Sequence, residues 1–291
     1  KLSSLVGITK FDKDVEDSKL GNGKLTTNAT WTQLTGASLL TGFNQVNLNS
    51  SHDLRAVGFR LEPSSQRGFN GGLRTAADLG LNASQIYPST LSNYTFSVIN
   101  PDGKLVIAGR NSDSTPLSAG GKLVFNAPTL EQNGVVKAPL GTVEMHAAKG
   151  ISFGKDSVTS VSADGKTIPL GLISANVWRY PLEPNKNIVF NEKPQNNPLG
   201  AKHLVFTSPD IDFKAGSIID VSGGGDLQAY EFQPGLGGSF DYLAPGSKSY
   251  KDSFAVLPSL GSGLAPHDHY FNSTFAKEAE SHGFVPGSQV Y

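Results

Sequence analysis

The chain of 291 residues carries 24 Lys+Arg against 25 Asp+Glu, a formal net charge of -1, with Gly 33, Pro 17 and Cys 0. A length of this order supports a full buried core, which excludes disorder, and the balanced charge leaves no basic surface for a phosphate backbone, which excludes nucleic acid as a partner. The absence of cysteine removes disulfides, thiolate metal sites and cysteine nucleophiles, so stability must come from packing and backbone hydrogen bonds.

From the N-terminus, Lys1–Asp14 lacks the apolar run of a secretory signal, and no later stretch approaches the ~18 apolar residues of a membrane-spanning helix. That reads as a mature secreted piece, a cytosolic protein or a fragment of something longer. Short apolar bursts rich in Val, Ile, Leu, Phe and Thr then follow, each closed by Gly, Asn, Asp, Ser or Pro, the grammar of strands and turns. Strands are expected at Gln45–Leu48, Asp53–Val57 and Tyr94–Val98, around Leu73, Leu79 and Leu81, and at Leu105–Ile107, Leu123–Phe125, Val135–Val136 and Thr142–Met145. They continue at Ile151–Phe153, Val158–Val161, Leu204–Phe206, Ile211–Phe213 and Ile218–Val221. After Gly225 aromatics and glycines interleave without a period, and a helix of a turn or two is expected only at Thr274–Ser281.

Internal repetition is the strongest signal. Gly150–Gly165 aligns with Asp210–Gly225 at an offset of 60 without a gap, with Ile, Phe, Ser, Val and Gly recurring in register. Leu123–Leu130 and Leu204–Ile211 repeat at 81, and Leu105 precedes Leu123 by 18. Read as one, three and four multiples of roughly 20, these offsets predict an all-β, right-handed parallel β-helix whose coils bury Leu, Val, Ile and Phe and place Gly and Asn at corners needing positive φ. The divisions expected are decorated coils over 1–115, regular β-solenoid over 116–226, and an irregular Gly- and aromatic-rich extension or cap over 227–291.

Leu117–Pro128, Gln132–Val143, Ser157–Ser162, Asp220–Leu227, Glu231–Ser239 and Phe254–Pro258 occur in that order. The string resembles the filamentous-haemagglutinin-like exoproteins of bacterial two-partner secretion, in the region toward the C-terminal side of the very large members, over residues 40–270. The resemblance implies a right-handed parallel β-helix, export through an outer-membrane transporter barrel, and display or release by a Gram-negative bacterium as an adhesin or filament. The family's N-terminal secretion domain has no counterpart here. Asn100–Gly103 is similar to a short motif of that domain, yet it lies mid-chain between two strands and reads as a turn. A segment of a longer exoprotein or a processed subunit is therefore expected.

Candidate chemistry is sparse, and no catalytic, cofactor-binding or metal residue is assigned. His267 and His269 at i and i+2 would share one strand face and one metal, but no third ligand is evident and a polar loop is the favoured reading. His52 with Asp53, and Ser281 with His282, lack the positioned partners of a triad. Asp210, Asp212, Asp220 and Asp226 are the nearest approach to a carboxylate cluster; their repeat equivalents, Gly150, Ser152 and Ser160 among them, favour outward solvated positions, with calcium binding in between. Acceptor sequons at Asn28, Asn49, Asn82, Asn93 and Asn272 are expected from composition alone. Tyr230, Phe232, Phe240, Tyr242, Tyr250, Tyr270 and Phe271 offer an assembly or sugar-stacking surface, or simply core.

Three functions follow. The first is a non-enzymatic extracellular structural and adhesive β-solenoid, stacking end to end through its open strand edges into cell-surface filaments and touching host or surface glycans. The second is a β-helix polysaccharide hydrolase or lyase, which the low charge content disfavours. The third is a glycan-binding module without turnover.

Overall fold

A computed structural model describes residues 17–58, 69–109, 116–183, 186–190, 199, 202–231, 256–257 and 289–290. Among them the chain is all-β, without helices, and its sheets are mostly parallel. Strands β1 (Leu20–Ala29), β2 (Thr32–Thr35) and β3 (Ala37–Leu40) are followed by β4 (Phe43–Ser50), β5 (Leu54–Val57) and β6 (Phe69–Thr75), then by β7 (Asp78–Asn82), β8 (Ile86–Pro88) and β9 (Ser92–Val98). Next come β10 (Lys104–Ala108), β11 (Lys122–Gln132), β12 (Val135–Lys137), β13 (Thr142–Phe153) and β14 (Val158–Ser160). An excursion of β15 (Thr167–Ser174), β16 (Val177–Glu183) and β17 (Lys186–Phe190) precedes β18 (His203–Thr207), β19 (Ile211–Phe213), β20 (Ile218–Asp220) and β21 (Asp226–Glu231). β22 (Val256–Leu257) and β23 (Gln289–Val290) form a small antiparallel pair.

Apart from β15 and β21, which pair in parallel with each other, the parallel strands fall into three ladders. The first runs β1, β4, β7, β10, the C-terminal part of β11, the C-terminal part of β13 and β19. The second runs β2, β5, β8, β12, β14 and β20. The third runs β3, β6, β9 and the N-terminal parts of β11 and β13, then β18. The chain visits the ladders in a fixed order, so each strand pairs with its equivalent one circuit away. β12 pairs with β8 directly, so the circuit that contains β10 adds no described strand to the second ladder.

Strand alternation builds the core between the ladders. Leu25, Val46, Leu79, Leu105, Leu130 and Ile151 share one register row of the first ladder. Leu73, Phe96, Phe125 and Met145 share a row of the third, with Phe96 stacked on Phe125 at 5.2 Å. Apart from the half-buried Leu25 all are buried, at roughly 25 cal/mol per Å² of apolar surface removed from water. A second cluster joins Leu91, Leu117, Leu140, Ile168, Leu170 and Tyr180 where the excursion packs back; there Trp178 Nε1 donates to the Leu170 carbonyl at 2.7 Å. Ala175 and Asn176, at φ 50° and 58°, make the two-residue turn between β15 and β16.

The expected strands are present at their expected places, and the offset of 60 is the strand register itself: Ile151 pairs with Ile211, Phe153 with Phe213 and Val158 with Ile218. Two inferences from the offsets need correction. Sixty residues are one circuit lengthened by the β15–β17 excursion, and 81 is two, since Leu123 pairs with Val143 and Val143 with Leu204. The spacing of 18 is no circuit: Leu105 pairs with Leu130 in the first ladder, whereas Leu123 pairs with Tyr94 in the third. Positive φ at corners is also not reserved for Gly and Asn, because Leu91, Leu140 and Asp156 adopt 56°, 53° and 60°. Burial of the two leucines in the second cluster offsets a backbone cost of about 1–2 kcal/mol each.

Asn100–Gly103 is a β-turn, closed by Gly103 N–H donating to the Asn100 carbonyl at 2.8 Å and by Asp102 N–H donating to Asn100 Oδ1 at 3.3 Å. Gly109 closes the strand beyond it at φ 97°, where a Cβ would lie 2.2 Å from the Ala83 carbonyl oxygen. Gly109→Ala is expected to cost about 2 kcal/mol or more, read as a lower urea midpoint with an unchanged slope. The expected helix at Thr274–Ser281 lies outside the described residues.

Candidate functional site

Outward positions of β4, β7 and β10 line a groove of about 400 Å³ formed by Gln45, Asn47, Asn49, Asp78, Asn82 and Lys104, with Gly80 and Val106 on its floor. The notch exists because Gly80 stands between Asn47 and Val106 in one row; a Cβ there would lie 2.5 Å from Asn47 Oδ1. Its charges are already engaged. Lys104 Nζ pairs with Glu131 at 2.9 Å, which together with Asp78 raises its pKa, and Lys104 N–H donates to Asp78 Oδ1 at 2.9 Å. What remains for a ligand is mainly carboxamide, suited to hydroxyl groups rather than to ions.

Three of the sequons belong to the same face, and Asn93 lies in the third ladder. Asn28, Asn49 and Asn82 occupy one row of the first ladder, and Asn49 Nδ2 donates to Asn28 Oδ1 at 3.0 Å. Asn93 Nδ2 likewise donates to Asn70 Oδ1 at 3.3 Å, and Ser84 Oγ donates to the Ser51 carbonyl at 3.1 Å. The Asn-x-Ser/Thr repeat thus has a structural use in stacking amides and closing a corner. The two Leu-Asn pairs, Leu48–Asn49 and Leu81–Asn82, stand at the same register positions of β4 and β7. Asn272 lies outside the described residues.

Asp53 is buried on the outer face of the second ladder beside the row Gln33, Arg55 and Tyr87. Gln85 Nε2 donates to Asp53 Oδ2 at 2.9 Å, and Arg55 Nη2 donates to Gln33 Oε1. Burial pushes the Asp53 carboxyl up to about 6, against the pull of the Gln85 hydrogen bond and the positive charges of His52 and Lys137. His52 stacks on Trp31 at 5.3 Å, with Nδ1 3.4 Å from Ser51 Oγ. Asp53 takes its hydrogen bond from Gln85 rather than from His52, so the pair does not form the relay of a triad.

The other carboxylates are dispersed. Asp212, in β19, pairs with Lys214 at 2.5 Å, while Asp220, in β20, accepts from Ser160 Oγ at 2.8 Å and from Ser222 N–H at 2.9 Å. Burial alone would raise the Asp220 carboxyl; the hydrogen bonds from Ser222 and Ser160 more than offset it and hold it below the usual range. Asp210 sits beside Gly150 at the start of its row, and Asp226 opens β21 against Thr167. Among the described residues no three of His, Asp and Glu gather as a metal-ligand group. His267, His269, Ser281, His282 and the aromatics Phe232, Phe240, Tyr242, Tyr250, Tyr270 and Phe271 lie outside the described residues, and Tyr230 lies in β21.

No family model, curated protein or solved structure matches the chain.

Proposed function

We propose that the chain is a non-enzymatic, extracellular structural and adhesive element: a right-handed β-solenoid segment of a two-partner-secretion exoprotein of the filamentous-haemagglutinin-like kind. The observation that carries this reading is the fixed order in which the chain visits three parallel ladders with apolar rows in register. Right-handed connection between parallel strands is the strongly preferred hand, which supports the handedness. Stability gathered circuit by circuit gives a stiff rod that needs no disulfide, and a chain with Cys 0 suits threading through an outer-membrane transporter barrel. Adhesion is assigned to the carboxamide groove of Gln45, Asn47, Asn49 and Asn82, whose hydrogen-bonding groups match the hydroxyls of a neutral surface glycan.

In cells that make the chain, protease added to intact Gram-negative bacteria is expected to destroy it; protection until lysis would overturn the cell-surface assignment. Binding to a panel of neutral glycans is expected to fall at least tenfold in Asn47→Ala/Asn49→Ala, with no reducing ends released. Reducing-end release would instead support the hydrolase or lyase reading.

A further inference from the structure

The groove is a grid of register rows crossing adjacent strands of the first ladder. β4 contributes Gln45, Asn47 and Asn49, β7 contributes Asp78, Gly80 and Asn82, and β10 contributes Lys104, Val106 and Ala108. The residues between them, Val46, Leu48, Leu79, Leu81, Leu105 and Ile107, are buried in the core, so the grid faces away from it. Gly80 stands at the centre, and its missing side chain turns the grid into a pit. Asn47 and Val106 bound that pit at strands ~4.8 Å to either side, and Asp78 and Asn82 bound it ~6.7 Å away along the strand. One side of the pit is therefore carbon, and the other three carry carboxamide or carboxylate.

We propose that the pit seats one sugar ring of a neutral glycan and that Asp78 is the residue that selects against acidic glycans; this rests on the glycan-binding reading of the groove. Asn49 Nδ2 is committed to Asn28, and Asp78 Oδ1 to Lys104 N–H, which leaves the Asn47 and Asn82 amides and Asp78 Oδ2 to meet hydroxyls from different sides. An amide donates and accepts, whereas a carboxylate only accepts, and a hydroxyl satisfies either. The carboxylate of an acidic sugar would satisfy the amides, yet beside Asp78 it sets like charges together. The nearest cation does not relieve this, because Lys104 Nζ is already held by Glu131 at 2.9 Å, and Asp78 and Glu131 together outnumber it. The C–H face of the ring lies against Val106 and the Gly80 backbone. A Cβ at Gly80 would stand 2.5 Å from Asn47 Oδ1, in the space the ring takes. The volume of about 400 Å³ is near the lower end for small-molecule sites and suits a sugar rather than a protein segment.

The test is calorimetric titration of the full chain with linear trisaccharides of glucose, galactose or mannose, and with trigalacturonic acid as the acidic counterpart. The parent is expected to bind at least one neutral trisaccharide, and trigalacturonic acid roughly tenfold or more weakly. Gly80→Ala is expected to weaken neutral binding roughly tenfold or more at an unchanged urea midpoint, since its methyl displaces only the far end of the Asn47 side chain. Asp78→Asn keeps an acceptor for Lys104 N–H and is expected to shrink the neutral-to-acidic affinity ratio roughly tenfold. Should Gly80→Ala fail to fold, that ratio decides alone. Tighter binding of trigalacturonic acid by the parent, or a ratio unmoved in Asp78→Asn, overturns the proposal. If neutral binding is lost in Asn47→Ala/Asn49→Ala but untouched in folded Gly80→Ala, the pit falls and the glycan-binding reading stands; if the parent binds no neutral trisaccharide, both fall.

Discussion

Phe125→Ala is expected to lower stability by about 3–5 kcal/mol, near the top of the range for a buried aromatic. Phe125 is fully buried, stacked on Phe96 with ring planes 6° apart, and followed in its row by Met145. The cavity cannot close along the row, because backbone hydrogen bonds hold adjacent strands ~4.8 Å apart whatever side chains they carry. Neighbours must therefore lose their dispersion contacts rather than move in to replace them. In dilute solution Phe213→Ala is expected to cost about 1 kcal/mol, since Phe213 lies on the last circuit and is half exposed already. Guanidinium unfolding of the two variants side by side reads the contrast. Equal costs would contradict a core built from stacked rows with a weak end.

Asp53→Asn is expected to stabilise the protein at neutral pH by roughly 2–3 kcal/mol. The carboxyl titrates at about 6 when folded against 3.8 unfolded, so the folded state holds the proton more tightly. The resulting stability is fully present below about pH 4 and is lost as pH rises through 6. An asparagine keeps an acceptor for Gln85 Nε2 and has no charge to bury. The difference in stability between variant and parent is therefore expected to open between pH 4 and pH 6 and to stay constant above pH 7. Thermal melts at a series of pH values measure it, and a difference independent of pH would place Asp53 in solvent.

Register was the most legible part of the fold. The match of Ile151, Phe153 and Val158 to Ile211, Phe213 and Ile218 is visible because stacked rows demand similar side chains at equivalent positions. Period was less legible. An antiparallel excursion inserted between β14 and β18 lengthens one circuit without altering the rows on either side, so an offset of 60 looks like a multiple of a shorter repeat. Leu105–Ile107 and Leu123–Phe125 look equivalent because any strand with one face in an apolar core reads the same, whichever ladder it joins. The groove escaped sequence reading because its shape depends on Gly80 standing between Asn47 and Val106, which are close only across circuits. Asp53 was named beside His52, but its burial escaped sequence reading because all of the adjoining β5 is buried, and a buried outer face leaves no mark in the alternation.

Since the chain has no cysteine, introduced pairs report proximity without background. Three double variants place one pair on each ladder across the longest circuit: Ser152→Cys/Asp212→Cys, Ser160→Cys/Asp220→Cys and Glu144→Cys/Val205→Cys. Neighbouring parallel strands bring such Cα atoms within the roughly 4.4–6.8 Å that a disulfide spans. A chain wound through three in-register ladders oxidises to the intramolecular disulfide in all three variants while keeping its β spectrum. Failure of the three pairs to close in the folded protein, or closure equally efficient with partners shifted by two residues, contradicts it.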